Sequence, residues 1–468
     1  MKQDNIKYTH LLKNTLVFGI GTFGSKVLQF FIVPLYTYVL TTEEYGKIDI
    51  FATTISLVLP FITFLIQESI IRFLTSNEIE KDDAINSGMI IFLNSVILSL
   101  FLTSLYMYIF DKEYAVIFFV CLVLNSFVAI FQNYLKACGQ VADFTICGII
   151  NTGVFLASNI VMLLVFRLGI IGYLCSMIIS QLASAIFIIA RGKIFKKISF
   201  NRKSFKLLNK LLKFSIPLIP NNLMWWIMNA GDKYVINYFL GNSANGLYSI
   251  SIKLATIITT LFGIFMQAWQ LSAIEENGKE KQAEFYSKVY SNMMLLLLET
   301  SAVILIVNRP IFSLIIGDQF FEAHLYSPLL CVATVINCIS TFLGVTYLVS
   351  KSTSKAFTTT VVGAITNVIA NILLIKVFGL GGVALGTIIG YVVVMLIRMR
   401  DTVKYVHMDL DIIRTLIGIL LLLSAAIVYM FVSFGISICI GIVTFGLVAL
   451  LYKNNIVSLV FMVLRKTK

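Results

Sequence analysis

The chain has 468 residues, of which 59% are hydrophobic and 13% charged, with a mean hydropathy of +0.93 and a formal net charge of +13. Soluble globular domains contain roughly 45–50% apolar and about 25% charged residues, so this composition excludes a soluble protein. We therefore predict an all-α, polytopic membrane protein.

Apolar segments of membrane-spanning length recur along the whole chain. A hydrocarbon core of about 30 Å needs about 20 apolar residues per helix. Because the first segment exceeds the apolar core of a cleavable signal peptide, about 7–15 residues, we expect it to be retained. The fourteen predicted spans have the approximate limits 14–40, 46–74, 85–110, 114–137, 144–166, 169–190, 214–240, 246–273, 287–307, 325–349, 356–378, 380–399, 412–432 and 434–452.

Prolines and glycines inside these spans predict local helix geometry. Spans one, two and seven are expected to kink because they contain Pro34, Pro60, Pro217 and Pro220. Small residues on one face of span twelve predict close packing against another helix; these are Gly382, Gly386 and Gly390.

The distribution of basic residues predicts the topology. If the N-terminus is cytoplasmic, few of the 36 lysines and arginines lie at the outer face. The positive-inside rule therefore places both termini in the cytoplasm. We interpret the densest basic run, Arg191 to Lys213, as a cytoplasmic loop beside anionic lipid rather than as a nucleic-acid-binding patch.

Two internal matches indicate a duplicated unit. A shift of 200 positions aligns Gly46 with Gly246, and a shift of 212 aligns Gly169 with Gly381. Six spans per half would give parallel repeats about an axis along the membrane normal, with a site near the midplane between them. The predicted domains are an N-terminal lobe at 1–206, a C-terminal lobe at 207–400, and a segment with the last two spans at 401–468.

Enzyme motifs do not account for this chain. The segment "GIGTFG", Gly19 to Gly24, matches GxGxxG, but it lies inside the first predicted span and follows no strand. The sequence has no GxSxG or HExxH motif, and its seven cysteines and three histidines form no metal-ligand pattern. We expect no enzyme activity, no cofactor and no metal site.

Charged residues within the spans are candidate functional groups. Each ionised group at the bilayer centre costs about 2.5–3.5 kcal/mol, so its side chain should face a wet cavity or a partner. Lys26 is in span one, Asp232 and Lys233 are in span seven, Lys253 is in span eight, and Glu299 is in span nine.

The spacing of these charges limits how they can pair. Arg72, at the inner end of span two, follows Glu68 by four residues and could pair with it on one helix face. Asp232 and Lys233 are adjacent, roughly 100° apart around a helix, so each needs another partner. Asp232 could form an interhelical ion pair, for instance with Lys253, or it could take part in ion coupling. The same two roles, structural or ion-coupling, remain open for Glu299.

Two long segments resemble a known family. "NTLVFGIGTFGSKVLQFFIVPLYTYVLTTEEYGKIDIF" (Asn14 to Phe51) and "FSIPLIPNNLMWWIMNAGDKYVINYFLGNSANGLYSISIK" (Phe214 to Lys253) are similar to the Wzx-type oligosaccharide flippases of the MATE-like (MOP) superfamily. The resemblance implies a two-lobed, V-shaped bundle whose first, second, seventh and eighth helices line a cavity that opens alternately to each side.

The resemblance also implies a cargo and a site. The cargo would be an undecaprenyl-pyrophosphate-linked oligosaccharide carried across the cell membrane for capsule, exopolysaccharide or O-antigen synthesis, with polysaccharide polymerase machinery as a potential partner. The substrate-binding residues would be Lys26, Arg72, Lys233 and Lys253. Asp232 and Glu299 depart from a purely cationic cavity.

Two alternatives remain at this stage. A multidrug or cation antiporter of the same superfamily would favour acids over amines at the deep positions. A membrane polysaccharide polymerase or acyltransferase would be expected to have a sizeable outer loop with clustered Arg, His or Asp residues, and the predicted outer loops are short.

Overall fold

The computed structural model describes residues 32–109, 112–198, 202–276, 278–350 and 352–458, and its regular structure there consists of helices. Eleven helical runs in these residues are long and apolar enough to cross a bilayer. The chain is therefore an all-α, multi-pass membrane protein, which confirms the predicted fold class.

The chain divides into two compact units. Unit 1 comprises residues Met1–Leu40 and Lys47–Leu223, and unit 2 comprises Thr41–Gly46 and Met224–Lys468. The lobe boundaries expected from the internal repeat, after residues 206 and 400, stay a prediction.

Among its described residues, unit 1 contains seven whole α-helices, most of an eighth and the beginning of a ninth. Buried apolar side chains there form two clusters. The helices are α1 (Val33–Val39), α2 (Thr42–Thr63), α3 (Ile66–Thr75), α4 (Lys81–Ile109), α5 (Ala115–Ala137), α6 (Val141–Ile160), α7 (Gly169–Gly192) and α8 (Arg202–Ser215).

The second predicted span is not one continuous helix. It is broken between α2 and α3 at Phe64 and Leu65, which have left-handed φ values of 49° and 50°. Such a conformation costs L-residues roughly 1–2 kcal/mol each. Pro60 lies in the last turn of α2 and lacks the N–H that a continuous ladder needs. Pro34 is in the first turn of α1, where proline is tolerated. The kink expected for span one stays a prediction, because residues 14–31 of that span lie outside the described residues.

Among its described residues, unit 2 contains the start of α2, most of α9 (Ile219–Glu275) and five further α-helices. Two of these runs are interrupted by glycines with positive φ, Gly241 (φ 83°) in α9 and Gly379 (φ 54°) in α12, so each of the two contains two spans. Gly241 is the turn between spans seven and eight. Pro217 lies in a 3-10 turn, Ile216–Leu218, that separates α8 from α9 within predicted span seven, and Pro220 is in the first turn of α9. The other helices are α10 (Gln282–Leu314), α11 (Ser327–Val349), α12 (Thr353–Thr402), α13 (Ile412–Tyr429) and α14 (Phe434–Leu451).

The two halves of α12 pack face to face along its glycines. A Cβ at Gly382 would collide with the backbone of Leu374, one at Gly386 with Asn371, and one at Gly390 with Asn367. The helix-packing role predicted for these glycines is confirmed.

The last two spans pack along α10. Gly418 of α13 lies against Leu298, and Gly441 of α14 lies against Ile306. A buried hydrogen bond of 2.7 Å from Asn308 Nδ2 to the Tyr429 hydroxyl joins α10 to the end of α13.

Candidate substrate and ion-binding site

Asp232 connects the two halves of α9. Its carboxylate is buried, with 4% of the residue exposed, and Oδ2 accepts a 2.6 Å hydrogen bond from the hydroxyl of Tyr248. Oδ1 accepts a 2.9 Å bond from the backbone N–H of Lys233. Asp232 precedes Gly241 and Tyr248 follows it, so this contact depends on the turn at that glycine.

Further hydrogen-bonded polar side chains lie between α9 and α12 and between the two halves of α12. The hydroxyl of Tyr391 contacts the carbonyl oxygen of Met228 at 3.0 Å and Asn229 Oδ1 at 3.1 Å. Asn367 donates to the Thr387 hydroxyl at 3.4 Å. Unit 2 therefore holds a hydrogen-bonded polar layer inside membrane-spanning helices, a setting in which unsatisfied polar groups are costly.

Sequence reasoning missed Tyr248 and Tyr391 because neither is charged. Both belong to long apolar segments and look like ordinary buried aromatics. Their only signal is that each hydroxyl needs a partner when it is buried.

The structure places Lys233 and Lys253 in different halves of α9. Lys233 precedes Gly241 and Lys253 follows it, and both residues are half-buried. Long amine side chains can cover apolar surface with their methylenes while the charged end remains solvated. Lys26 lies outside the described residues.

Arg72 lies in α3 of unit 1 and is exposed. Its guanidinium carbon lies 5.1 Å from the centroid of the Phe214 ring. The suggested Glu68–Arg72 pair is wrong, because within the part of the chain that the structure describes no ion pair joins these two exposed residues. An exposed ion pair on one helix contributes only a few tenths of a kcal/mol, which is too little to offset the entropy lost when two long side chains are ordered.

Glu299 is near the middle of α10. Its Oε2 atom is buried and has no hydrogen-bond partner among the described residues. The half-exposed Leu296 and Val303 lie three and four positions away, on the same stripe of the helix. The structure thus places the Glu299 carboxyl group between two apolar side chains on its helix face.

A further buried cation lies in unit 2. Arg398, which the sequence places at the start of a hydrophilic cytoplasmic stretch, is only 2% exposed. Its guanidinium donates to the Ser340 carbonyl oxygen at 2.7 Å, and to the hydroxyls of Thr359 and Thr360 at 3.1 Å each. Each of the three guanidinium nitrogens thus donates to a neutral acceptor, and these bonds join the second half of α12 to its first half and to α11.

The described helices form a multi-pass membrane protein whose fold is shared by solved flippase and transporter structures. The structure aligns with lipid II flippase MurJ in an inward closed conformation with a TM-score of 0.66 and 17% identity, covering 94% of this chain and 100% of that one. An inward-facing multidrug resistance MATE family transporter of the MOP superfamily aligns with a TM-score of 0.61 and 15% identity, over 81% of this chain and 93% of that one. These likenesses show the fold.

The chain belongs to the polysaccharide biosynthesis protein family, whose profile matches residues 11–270, more than half of its length. It is also 25% identical over 238 residues to the probable low-salt glycan biosynthesis flippase Agl15 of Haloferax volcanii. That alignment covers 50% of this chain and 48% of the relative, so the chain spans about half the length of the curated relative it matches.

Proposed function

We propose that the protein is a flippase for lipid-linked oligosaccharides. Its cargo is an oligosaccharide repeat unit attached to undecaprenyl pyrophosphate, which it moves to the outer leaflet of the cell membrane. The proposal is carried by membership of the polysaccharide biosynthesis family over residues 11–270. The glycan flippase relative and the MurJ-like fold support the same assignment.

The physical problem that such a protein solves is solvation. A sugar and pyrophosphate headgroup would lose its water in hydrocarbon, at a cost of several kcal/mol for each polar group left unpaired. Protein amines inside the membrane region can replace part of that water while the lipid tail remains in the bilayer. We therefore propose Lys26, Arg72, Lys233 and Lys253 as headgroup-binding residues. The hydrated ammonium groups of the three lysines bind phosphate and release it again, and the guanidinium of Arg72 can donate several hydrogen bonds to it.

The transport cycle that we propose is alternating access, and the protein itself performs no covalent chemistry. Lys233 and Lys253 are separated by the turn at Gly241, so a change at this glycine would alter their spacing. We propose that both termini are cytoplasmic, as the distribution of basic residues indicates. A downstream polysaccharide polymerase is the partner that would consume the delivered repeat unit.

Asp232 supports a second candidate, a cation-coupled multidrug antiporter. A buried carboxylate within membrane-spanning helices can bind a cation as well as hold a helix turn. Depleting the protein in its host distinguishes the two functions. A flippase predicts accumulation of lipid-linked repeat units in the inner leaflet with unchanged resistance to cationic dyes, whereas an antiporter predicts dye sensitivity without accumulation.

A further inference from the structure

Helix α3 is not a continuation of α2. The two left-handed residues, Phe64 and Leu65, interrupt the helical ladder and allow the chain to change direction before Ile66. The direction in which Arg72 projects is therefore not set by the register of α2. It depends on whatever packs against α3.

Helix α8 docks on α3 through three polar or aromatic contacts. The hydroxyl of Ser69, a fully buried residue, donates to the carbonyl oxygen of Leu211 at 2.7 Å. Lys210 Nζ lies 2.8 Å from Glu78 Oε2, just beyond the end of α3. Phe73 and Phe214 meet edge to face with their ring centroids 5.7 Å apart.

The Phe73 contact places the ring of Phe214 against the Arg72 guanidinium, at 5.1 Å from its carbon to the ring centroid. A cation–π contact attracts the guanidinium through its charge and leaves its five N–H donors able to bind an anion. Within the described residues, no carboxylate forms an ion pair with Arg72. Glu78 is close enough for its charge to interact with Arg72, but its carboxylate is paired with Lys210. The N–H groups of the guanidinium are thus available to an anion.

We propose that Phe214 is a positioning residue for Arg72, holding the guanidinium so that its N–H groups meet the phosphate oxygens of the transported headgroup. The inference rests on the proposed function, because Arg72 is one of the residues proposed to bind that headgroup. It gives α8, the amphipathic basic helix immediately before α9, a role in substrate recognition through a residue that carries no charge.

Transport in proteoliposomes tests this role through its substrate dependence. The probe is a fluorescent undecaprenyl-pyrophosphate-linked oligosaccharide titrated against the initial rate. Phe214→Leu removes the ring and keeps most of the apolar volume. We expect it to raise the half-saturating concentration about two- to fivefold, the range for an exposed cation–π contact, with little change in maximal rate. Phe214→Tyr keeps the ring and should remain within about twofold of wild type.

A double-mutant cycle separates positioning from general packing. If Phe214 acts through Arg72, Phe214→Leu should have no additional effect in an Arg72→Gln background. The matched control is Phe127→Leu, which removes a ring from the same core cluster, where Phe127 packs on other aromatic rings. This control should lower stability without changing the half-saturating concentration. Where Phe214→Leu does not accumulate, Phe214→Met replaces it.

Three results would overturn the inference. The first is an equal effect of Phe214→Leu on the half-saturating concentration with Arg72 present and with Arg72→Gln. The second is an increase in that concentration in Phe214→Tyr as large as in Phe214→Leu. The third is an unchanged half-saturating concentration in Phe214→Leu although Arg72→Gln is impaired. A wild-type rate for Arg72→Gln would also overturn the inference, but it would not contradict the proposed transport of lipid-linked oligosaccharides. Failure of the proposed function is separate, since wild-type protein would then move no labelled lipid.

Discussion

Gly46 and Gly246 pack backbone against backbone within unit 2. A Cβ at Gly46 would collide with the carbonyl oxygen of Asn242, and one at Gly246 with the carbonyl oxygen of Thr42. Asn245 Nδ2 also donates to the carbonyl oxygen of Gly46 at 3.1 Å. The two glycines are the pair that the 200-residue shift aligns, so equivalent positions of the suggested repeat are in contact.

Replacing Gly246 by alanine should destabilise the protein. The added methyl group meets backbone rather than a flexible side chain, and overpacking of this kind costs about 1–3 kcal/mol. Thermal unfolding in detergent measures the effect. The control is Gly263→Ala in the same helix, where a Cβ has open space and the greater helix propensity of alanine should be neutral or stabilising. Equal melting temperatures for Gly246→Ala and wild type would contradict the packing.

The hydroxyls of Thr42 and Ser243 lie 2.6 Å apart beside these glycines, which makes this pair suitable for a crosslink. We expect Thr42→Cys with Ser243→Cys to form a disulfide and to stop transport if this contact opens during the cycle. Reductant should restore the rate. The background carries Cys439→Ser, because Cys439 is exposed, and each single cysteine variant serves as a control. Full transport by the oxidised double variant would rule out opening at this contact.

Two substitutions test whether Asp232 stabilises the structure, couples transport to an ion, or does both. Tyr248→Phe removes the donor to a buried carboxylate, so we expect a loss of about 1–3 kcal/mol in the free energy of unfolding. Asp232→Asn removes the charge but keeps an acceptor for Tyr248. If Asp232 couples an ion, the Asn variant should fold and transport without responding to an imposed sodium or proton gradient. An unchanged gradient response would assign Asp232 a structural role alone.

The contact between α8 and α3 should depend on pH through Glu78. The hydrogen bond from Lys210, followed by one from Ser76, holds the pKa of Glu78 below its usual value. A lowered folded-state pKa stabilises the protein above the unfolded pKa of about 4.3, and this stabilisation is lost as pH falls through the folded pKa. The melting-temperature difference between wild type and Glu78→Gln should therefore be present at pH 7 and shrink below pH of about 4. A difference that is constant with pH would exclude this ion pair as a contributor.

Much of the fold follows from the sequence because lipid imposes simple rules. Spans are set by length and hydropathy, and the packing of Gly382, Gly386 and Gly390 follows from their four-residue spacing. The break at Phe64 and Leu65 could not be predicted, since L-residues rarely adopt left-handed backbone and tertiary packing must hold them there.

The sequence predicts the charged residues of the candidate site but not the residues that contact them. Asp232 is visible in the sequence as an acid within a span, but its partner Tyr248 is reached only through the turn at Gly241. Arg398 was missed because a cation at the end of a span looks like an ordinary cytoplasmic flank. Its burial depends on acceptors from α11 and the first half of α12, which are distant in sequence.

The most direct test of the central claim uses purified protein in liposomes that contain a fluorescent undecaprenyl-pyrophosphate-linked oligosaccharide. Leaflet-specific chemical quenching reports how much label crosses the bilayer. We predict rapid crossing with wild type, a loss of at least about tenfold in rate for Lys233→Ala with Lys253→Ala, and near wild-type rates for the control Lys376→Ala, whose amine lies 5.7 Å from the Phe239 ring. Crossing at the protein-free rate with wild type, or undiminished crossing in the double variant, would contradict the account.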